Sequence, residues 1–344
     1  MLKNYYFDRL SYEGKYVYRS LIDAIRKEEA QCVVSTRLSP EELLQVSAAL
    51  AFDNPGFVSF PNLFPQAVPY SNGKISIPLR YSAFDREAYE RELNSFVSEI
   101  RKGLSPRSSQ YTVVKRIYDA IADRTRYDRE ALNAYQELVR ANASESAIAS
   151  YVEGRSARFT AYGALVDRIA VCDGISKLFK VVCDEFGIEC TCVQAIENGG
   201  SAPNHLLNVV EVNGVRALVD VTNGLREMTG ALSLIGYDYF LVSAATYSTD
   251  YTVVDGMDCV SDDMCYHAKN GWVFTSVEGL RKYLCGYTFE STKGEVRCRY
   301  DGRVSDKELG DIFGYVLSHH CSSGYRVVGY SVRKGFCIGR IVRE

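Results

Sequence analysis

Asn213-Gly214 separates two apolar runs, 205–212 and 215–221. A two-residue Asn-Gly loop supplies the positive φ values that a tight antiparallel hairpin needs. Such a turn also decides which residues stand opposite one another. Val212 then faces Val215, and counting outward Asp220 faces Leu207. His205, two residues before Leu207, points to the same face. His205 and Asp220 become diagonal cross-strand neighbours, about 7–8 Å apart at the backbone and within side-chain reach. A carboxylate placed there holds one imidazole nitrogen and leaves the other free to face a thiol.

A suitable thiol precedes the hairpin. Cys172 opens the run Cys172-Asp173-Gly174, after which Ile175, Leu178, Phe179, Val182 and Phe186 recur at helical spacing up to Gly187. A cysteine at the mouth of a buried helix meets unpaired N–H groups and the positive end of the helix dipole, both of which favour a thiolate. The same amides can serve an oxyanion hole. Cys183 lies inside the helix, and Cys190 and Cys192 alternate along an expected strand at 188–196. These three read as packing, since no second cysteine pair with zinc spacing accompanies them. His267, His319 and His320 stand near Cys265 and Cys321 in sequence, but neighbours on a helix point apart. No metal and no cofactor is expected.

The rest of the chain alternates helices and strands. Amphipathic spacing predicts a helix at 12–27. Ser39-Pro40-Glu41-Glu42 starts another, with a capping box and a proline at the first helical position. A Pro/Asn-rich loop leads to a strand at 74–81, placed at a sheet edge because it carries Pro78. Helices follow at 85–102 and 110–123, then a polar helical stretch to about Tyr151. The tail suggests a helix at 277–284, a strand at 295–300, a helix at 306–319 and a hairpin at 325–342.

At 344 residues the chain is long for one core, so several units are expected: an N-terminal α+β accessory unit at 1–104, a core at 105–255 and a C-terminal α+β accessory unit at 256–344. A net charge of −3 makes no electrostatic case for nucleic acid or an anionic membrane. The N-terminus is polar, and no run approaches the roughly 18 apolar residues of a span. Eleven cysteines, an odd number scattered through a long chain, suit a reducing compartment better than a disulfide framework. The expectation is a cytoplasmic protein, or a surface form from which a signal was removed.

A family resemblance rests on Ala161-Tyr162-Gly163-Ala164-Leu165, Ala170-Val171-Cys172-Asp173-Gly174, Phe186-Gly187-Ile188, His205-Leu206-Leu207-Asn208-Val209 and Leu218-Val219-Asp220-Val221-Thr222. Together these segments, over about 110–245, resemble the core of the transglutaminase-like superfamily, which includes transglutaminases, peptide N-glycanases and bacterial cysteine peptidases. The resemblance implies an α+β, papain-like core with Cys172 as nucleophile, His205 as base and Asp220 as its orienter. Ile175, Leu207 and Asn223 stand where such relatives carry aromatics.

These readings converge on a thiol-dependent acyl-transfer enzyme: a cysteine peptidase or amidase acting on peptide or isopeptide bonds, in which water resolves the acyl-enzyme, or a transglutaminase-like acyltransferase, in which an amine does, with hydrolysis preferred and a peptide or protein as partner. Tyr127 and Tyr162 are candidates for a second oxyanion donor. The alternative is a degenerate core kept as a peptide- or protein-binding module. Oligomeric state has no signature in the sequence.

Overall fold

The computed structural model describes residues 2–57, 68–79, 81–286, 294–320 and 325–343. The Pro/Asn-rich loop falls largely outside these residues, as do Arg80 and Cys321. The architecture is α+β.

The N-terminal elements are α1 (Tyr5–Arg9), α2 (Tyr12–Arg26), β1 (Gln31–Val34), α3 (Pro40–Asp53), β2 (Val68–Pro69), β3 (Ile75–Pro78) and α4 (Arg86–Lys102). The capping box of α3 forms as its sequence dictates: Ser39 accepts from Glu42 N–H and Glu42 reaches back to Ser39 N–H. Val17, Leu21, Ile25, Val46, Leu50 and Ile77 share one apolar cluster. The sheet order is β1-β3-β2, so the proline-bearing strand is central, not at the edge as expected. Pro78 is tolerated because β2 pairs only with Ile75 and Ser76, leaving Pro78 flanked by Gln31 alone. Helix α4 turns Tyr89, Phe96 and Ile100 into the central core.

The central elements are α5 (Gln110–Arg124), β4 (Arg126–Tyr127), α6 (Arg129–Arg140), α7 (Glu145–Gly154), β5 (Ile169–Ala170), α8 (Cys172–Glu185), β6 (Cys190–Glu197), β7 (His205–Val212), β8 (Val215–Val219), β9 (Phe240–Val242), α9 (Ala244–Tyr247) and β10 (Tyr251–Val253). An antiparallel five-stranded sheet runs in the order β10-β6-β7-β8-β9. The β7–β8 hairpin closes with Asn213 at φ 54° and Gly214 at φ 80°. Val212 pairs with Val215 and Asn208 with Val219, the register read from the turn.

Both faces of this sheet are covered, which explains its nearly continuous apolar runs. On one face Val210, Val212, Ala217 and Val219 pack with Ile117, Ile121, Leu178 and Val182 of α5 and α8. On the other, Leu207, Val209 and Leu218 pack with Leu2, Tyr5, Tyr247 and Phe336.

The C-terminal elements are α10 (Tyr266–Lys269), β11 (Val273–Phe274), α11 (Val277–Cys285), β12 (Glu295–Tyr300), α12 (Asp306–His320), β13 (Tyr325–Arg333) and β14 (Phe336–Arg343). They build a sheet of order β11-β12-β14-β13 over a cluster that includes Leu280, Leu309, Phe313 and Ile341. Among the described residues, no helix is long and apolar enough to cross a membrane.

Candidate functional site

Helix α8 starts at Cys172, with Val171 as its N-cap residue in extended conformation. Its internal bonding begins with Ile175 N–H to Val171 C=O, so the amides of the first turn have no partner inside the helix. Gly174 lets this turn sit against the preceding segment: a Cβ there would come 2.7 Å from Thr160 O and 2.9 Å from Arg158 O. Val171 N–H donates to that same Arg158 carbonyl at 3.0 Å. The helix mouth is therefore clamped where the thiol emerges.

The sheet is pinned to the same helix one turn further on. Ser176 Oγ donates to Leu206 O at 2.8 Å, and Asn208 Nδ2 donates to Ser176 O at 3.0 Å. Both side chains are buried. These bonds set the spacing between α8 and β7, hence between Cys172 and His205.

His205 Nε2 meets Asp220 Oδ2 at 2.8 Å, with side-chain exposures of 8% and 0%. With Nε2 committed to Asp220, Nδ1 is the nitrogen left free, and Cys172 is among the groups that raise the pKa of the ring. Asp220 stands just beyond β8, where its N–H donates to Tyr239 O at 2.9 Å. Its carboxylate also accepts from Asn223 N (3.0 Å), Asn223 Nδ2 (2.6 Å) and the Tyr247 hydroxyl (3.0 Å). Tyr251 stacks on the His205 ring, centroids 4.8 Å apart and planes 24° from parallel. Tyr247 in turn stacks on Tyr251 at 5.3 Å.

These contacts decide the charges. Burial alone would lower the His205 imidazole, but Asp220, by charge and hydrogen bond, and then Cys172 outweigh it and hold the pKa well above its ordinary value. Burial would raise Asp220, yet His205 and the two Asn223 bonds hold it below the usual carboxylate range. Each partner thus favours the charged form of the other in a buried setting.

Of the two candidate tyrosines, the structure brings one to the thiol. Tyr127, the last residue of β4, lies close to Cys172: burial first, then Cys172, push its phenol far above the ordinary range. Its own N–H is held by Glu227 Oε1 at 2.5 Å. Tyr162 is a correction. Its ring stacks on Phe84 at 4.5 Å and lies near Tyr89 at 6.3 Å, and the charges acting on it are Asp167 and Asp85, none of them in the Cys172 site.

Sequence reasoning missed Tyr247, Tyr251 and Ser176, and it read Asn223 only as a lost aromatic. Asn208 carried a usable signal, a polar residue inside an apolar run; Tyr247 and Tyr251 carried none. Cys183, Cys190 and Cys192 are fully buried. A separate cleft of about 420 Å³, lined by residues including Asp128, Arg155, Arg158 and Asp167, does not include Cys172, His205 or Asp220. Among the described residues, no group of three or more His, Cys, Asp or Glu side chains is placed to hold a metal ion.

No family model matches the chain, and no curated protein matches it. Among solved structures, the chain is similar to one described as the crystal structure of a TGase, at 15% identity and a TM-score of 0.31. The alignment covers 56% of this chain and 50% of that one, so the chain spans half the length of the structure it matches.

Proposed function

We propose that this protein is a thiol-dependent acyl-transfer enzyme, a peptidase or amidase with a papain-like core at 105–255 between accessory units at 1–104 and 256–344. One observation carries the reading: a cysteine at a helix mouth faces an imidazole whose far nitrogen is held by a buried carboxylate at 2.8 Å.

In the proposed reaction the Cys172 thiol gives its proton to His205 Nδ1, and the thiolate attacks the carbonyl carbon of a peptide or side-chain amide. The oxyanion is met by the Cys172 N–H and the Tyr127 hydroxyl. The C–N bond breaks as His205 returns the proton to the leaving amine, which leaves a thioester on Cys172. Water, deprotonated by His205, attacks the thioester; the carboxylic acid departs and the thiol is restored. Asp220 stays ionised throughout and stabilises the imidazolium.

A second reading is a binding module that retains the triad, and it is favoured by the 4% exposure of Cys172. Iodoacetamide labelling at pH 6 separates the two. The enzyme reading requires Cys172 to alkylate far faster than the other cysteines and His205→Ala to slow it. Equal rates across the cysteines select the binding module.

A further inference from the structure

The β13–β14 hairpin ends in a two-residue turn, Lys334-Gly335, closed by the pair Arg333 and Phe336. Lys334 has φ 50° and Gly335 φ 81°, nearly the angles of Asn213 (54°) and Gly214 (80°) in the β7–β8 turn. Asparagine and glycine suit these left-handed positions; lysine does not. A residue that opposes its own turn calls for an interaction that compensates, and one is present. Lys334 Nζ donates to Thr249 O and pairs with Asp250 Oδ1, while Arg333 pairs with Asp250 Oδ2. Tyr239 donates to the same carboxylate. Asp306, the first residue of α12, fixes the turn from behind by accepting from Gly335 N–H at 3.0 Å.

The clasped segment, 248–250, joins α9 to β10. At one end is Tyr247, whose hydroxyl is on Asp220, and at the other is Tyr251, whose ring is on His205. Asn198 holds the segment from the β6 side, through Ser248 O at 2.9 Å and Asp250 O at 2.8 Å. The hairpin tip holds it through the side chain of Asp250.

We propose that the Arg333-Lys334 tip is a positioning element for the His205–Asp220 pair, acting through Asp250 and the flanking tyrosines Tyr247 and Tyr251. Its catalytic consequence rests on the reading of Cys172 as nucleophile; its structural consequence does not. The tip thereby gives the C-terminal hairpin a share in the site.

Lys334→Asn in the full chain, alone and combined with Arg333→Ala, is the test: the first improves the turn and removes one cation of the clasp, the second removes both. Nuclear magnetic resonance of the histidine rings, of which the chain has 4, reads the stack directly: a ring lying over Tyr251 is shifted upfield, and loosening moves the His205 ring protons downfield. The expected result is that downfield move, with alkylation of Cys172 slowed roughly tenfold, a fraction of the loss on the order of 100-fold that follows a misplacement of about 1 Å. The thermal midpoint stays or rises. Lys334→Arg, which keeps the cation, recovers most of both signals. His205 resonances that do not move when Lys334→Asn is combined with Arg333→Ala overturn the proposal, and show that Asn198 and the β6–β10 ladder suffice. Should the asparagine variant fail to fold, Arg333→Ala is read by the same two signals. A wild-type Cys172 no more reactive than its fellow cysteines defeats the enzyme reading alone, since the ring shift still decides the clasp.

Discussion

Asp220 is buried and ionised because His205, Asn223 and Tyr247 together surround its carboxylate with donors. Asp220→Asn keeps the shape and removes the charge, leaving the imidazole without its counter-ion. On the proposed activity, turnover of a peptide amide is expected to fall by about 10³–10⁴-fold, with little change in KM. The raised His205 pKa has a signed consequence for stability. Its contribution is complete below the unfolded value of about 6.5 and is lost as pH rises through the folded value. Urea midpoints from pH 7 to pH 10 are expected to decline more steeply in the wild type than in His205→Gln; parallel curves would show the ring is not shifted. At this scale much of the site was legible beforehand. The diagonal contact between His205 and Asp220 follows from one turn, because an Asn-Gly loop leaves a single register. Tyr127 and Tyr162 looked alike in sequence, and only packing separated them: one phenol lies close to Cys172, while the other ring is stacked on Phe84.

Between elements, buried polar pins hold α8 to β7. Ser176→Ala removes the hydroxyl that binds Leu206 O and is expected to cost about 1–2 kcal/mol in a urea melt. Cys172 alkylation is expected to slow as well, since the pin lies one helical turn from the thiol. Ser39→Ala in the α3 capping box is the contrast: about 1 kcal/mol of stability lost, with alkylation at the wild-type rate. Local grammar placed most elements to within a residue or two, as with α2 predicted at 12–27 and observed at Tyr12–Arg26. It failed at Pro78. A proline says only that one N–H is missing, whereas strand order depends on how far the neighbouring strand extends. The polar stretch before Tyr151 was also read as one piece; Asn142 at φ 49° and Ser144 as N-cap divide it into α6 and α7.

Across the molecule, charged groups join the C-terminal hairpin to the central sheet. Asp238 lies among Arg333, Arg297 and Asp250, and burial pushes its carboxyl up to about 6. An acid raised in the folded state lowers stability as pH climbs through that range. Asp238→Asn is therefore expected to raise the unfolding midpoint at pH 8 and leave it nearly unchanged at pH 4. Asp250 is held the other way: burial would raise it, but Lys334, Tyr239 and Arg333 keep it low. Its support is present above the unfolded value of about 3.9 and fades as pH falls through the folded one.

By itself the sequence determined what acts over a few residues: the Asn213-Gly214 turn and its register, the helix that opens at Cys172, the caps, and so the ordered trio of thiol, imidazole and carboxylate. Dihedral preference and hydrophobic period are local, and a single chain displays them. Tertiary structure alone decided which of 25 tyrosines would cover the imidazole, that α4 shares the central core, and that Lys334 reaches Asp250 across a separation of 84 residues. Contacts of that range are selected by the packing of whole layers, and no local propensity distinguishes one tyrosine or lysine from the next.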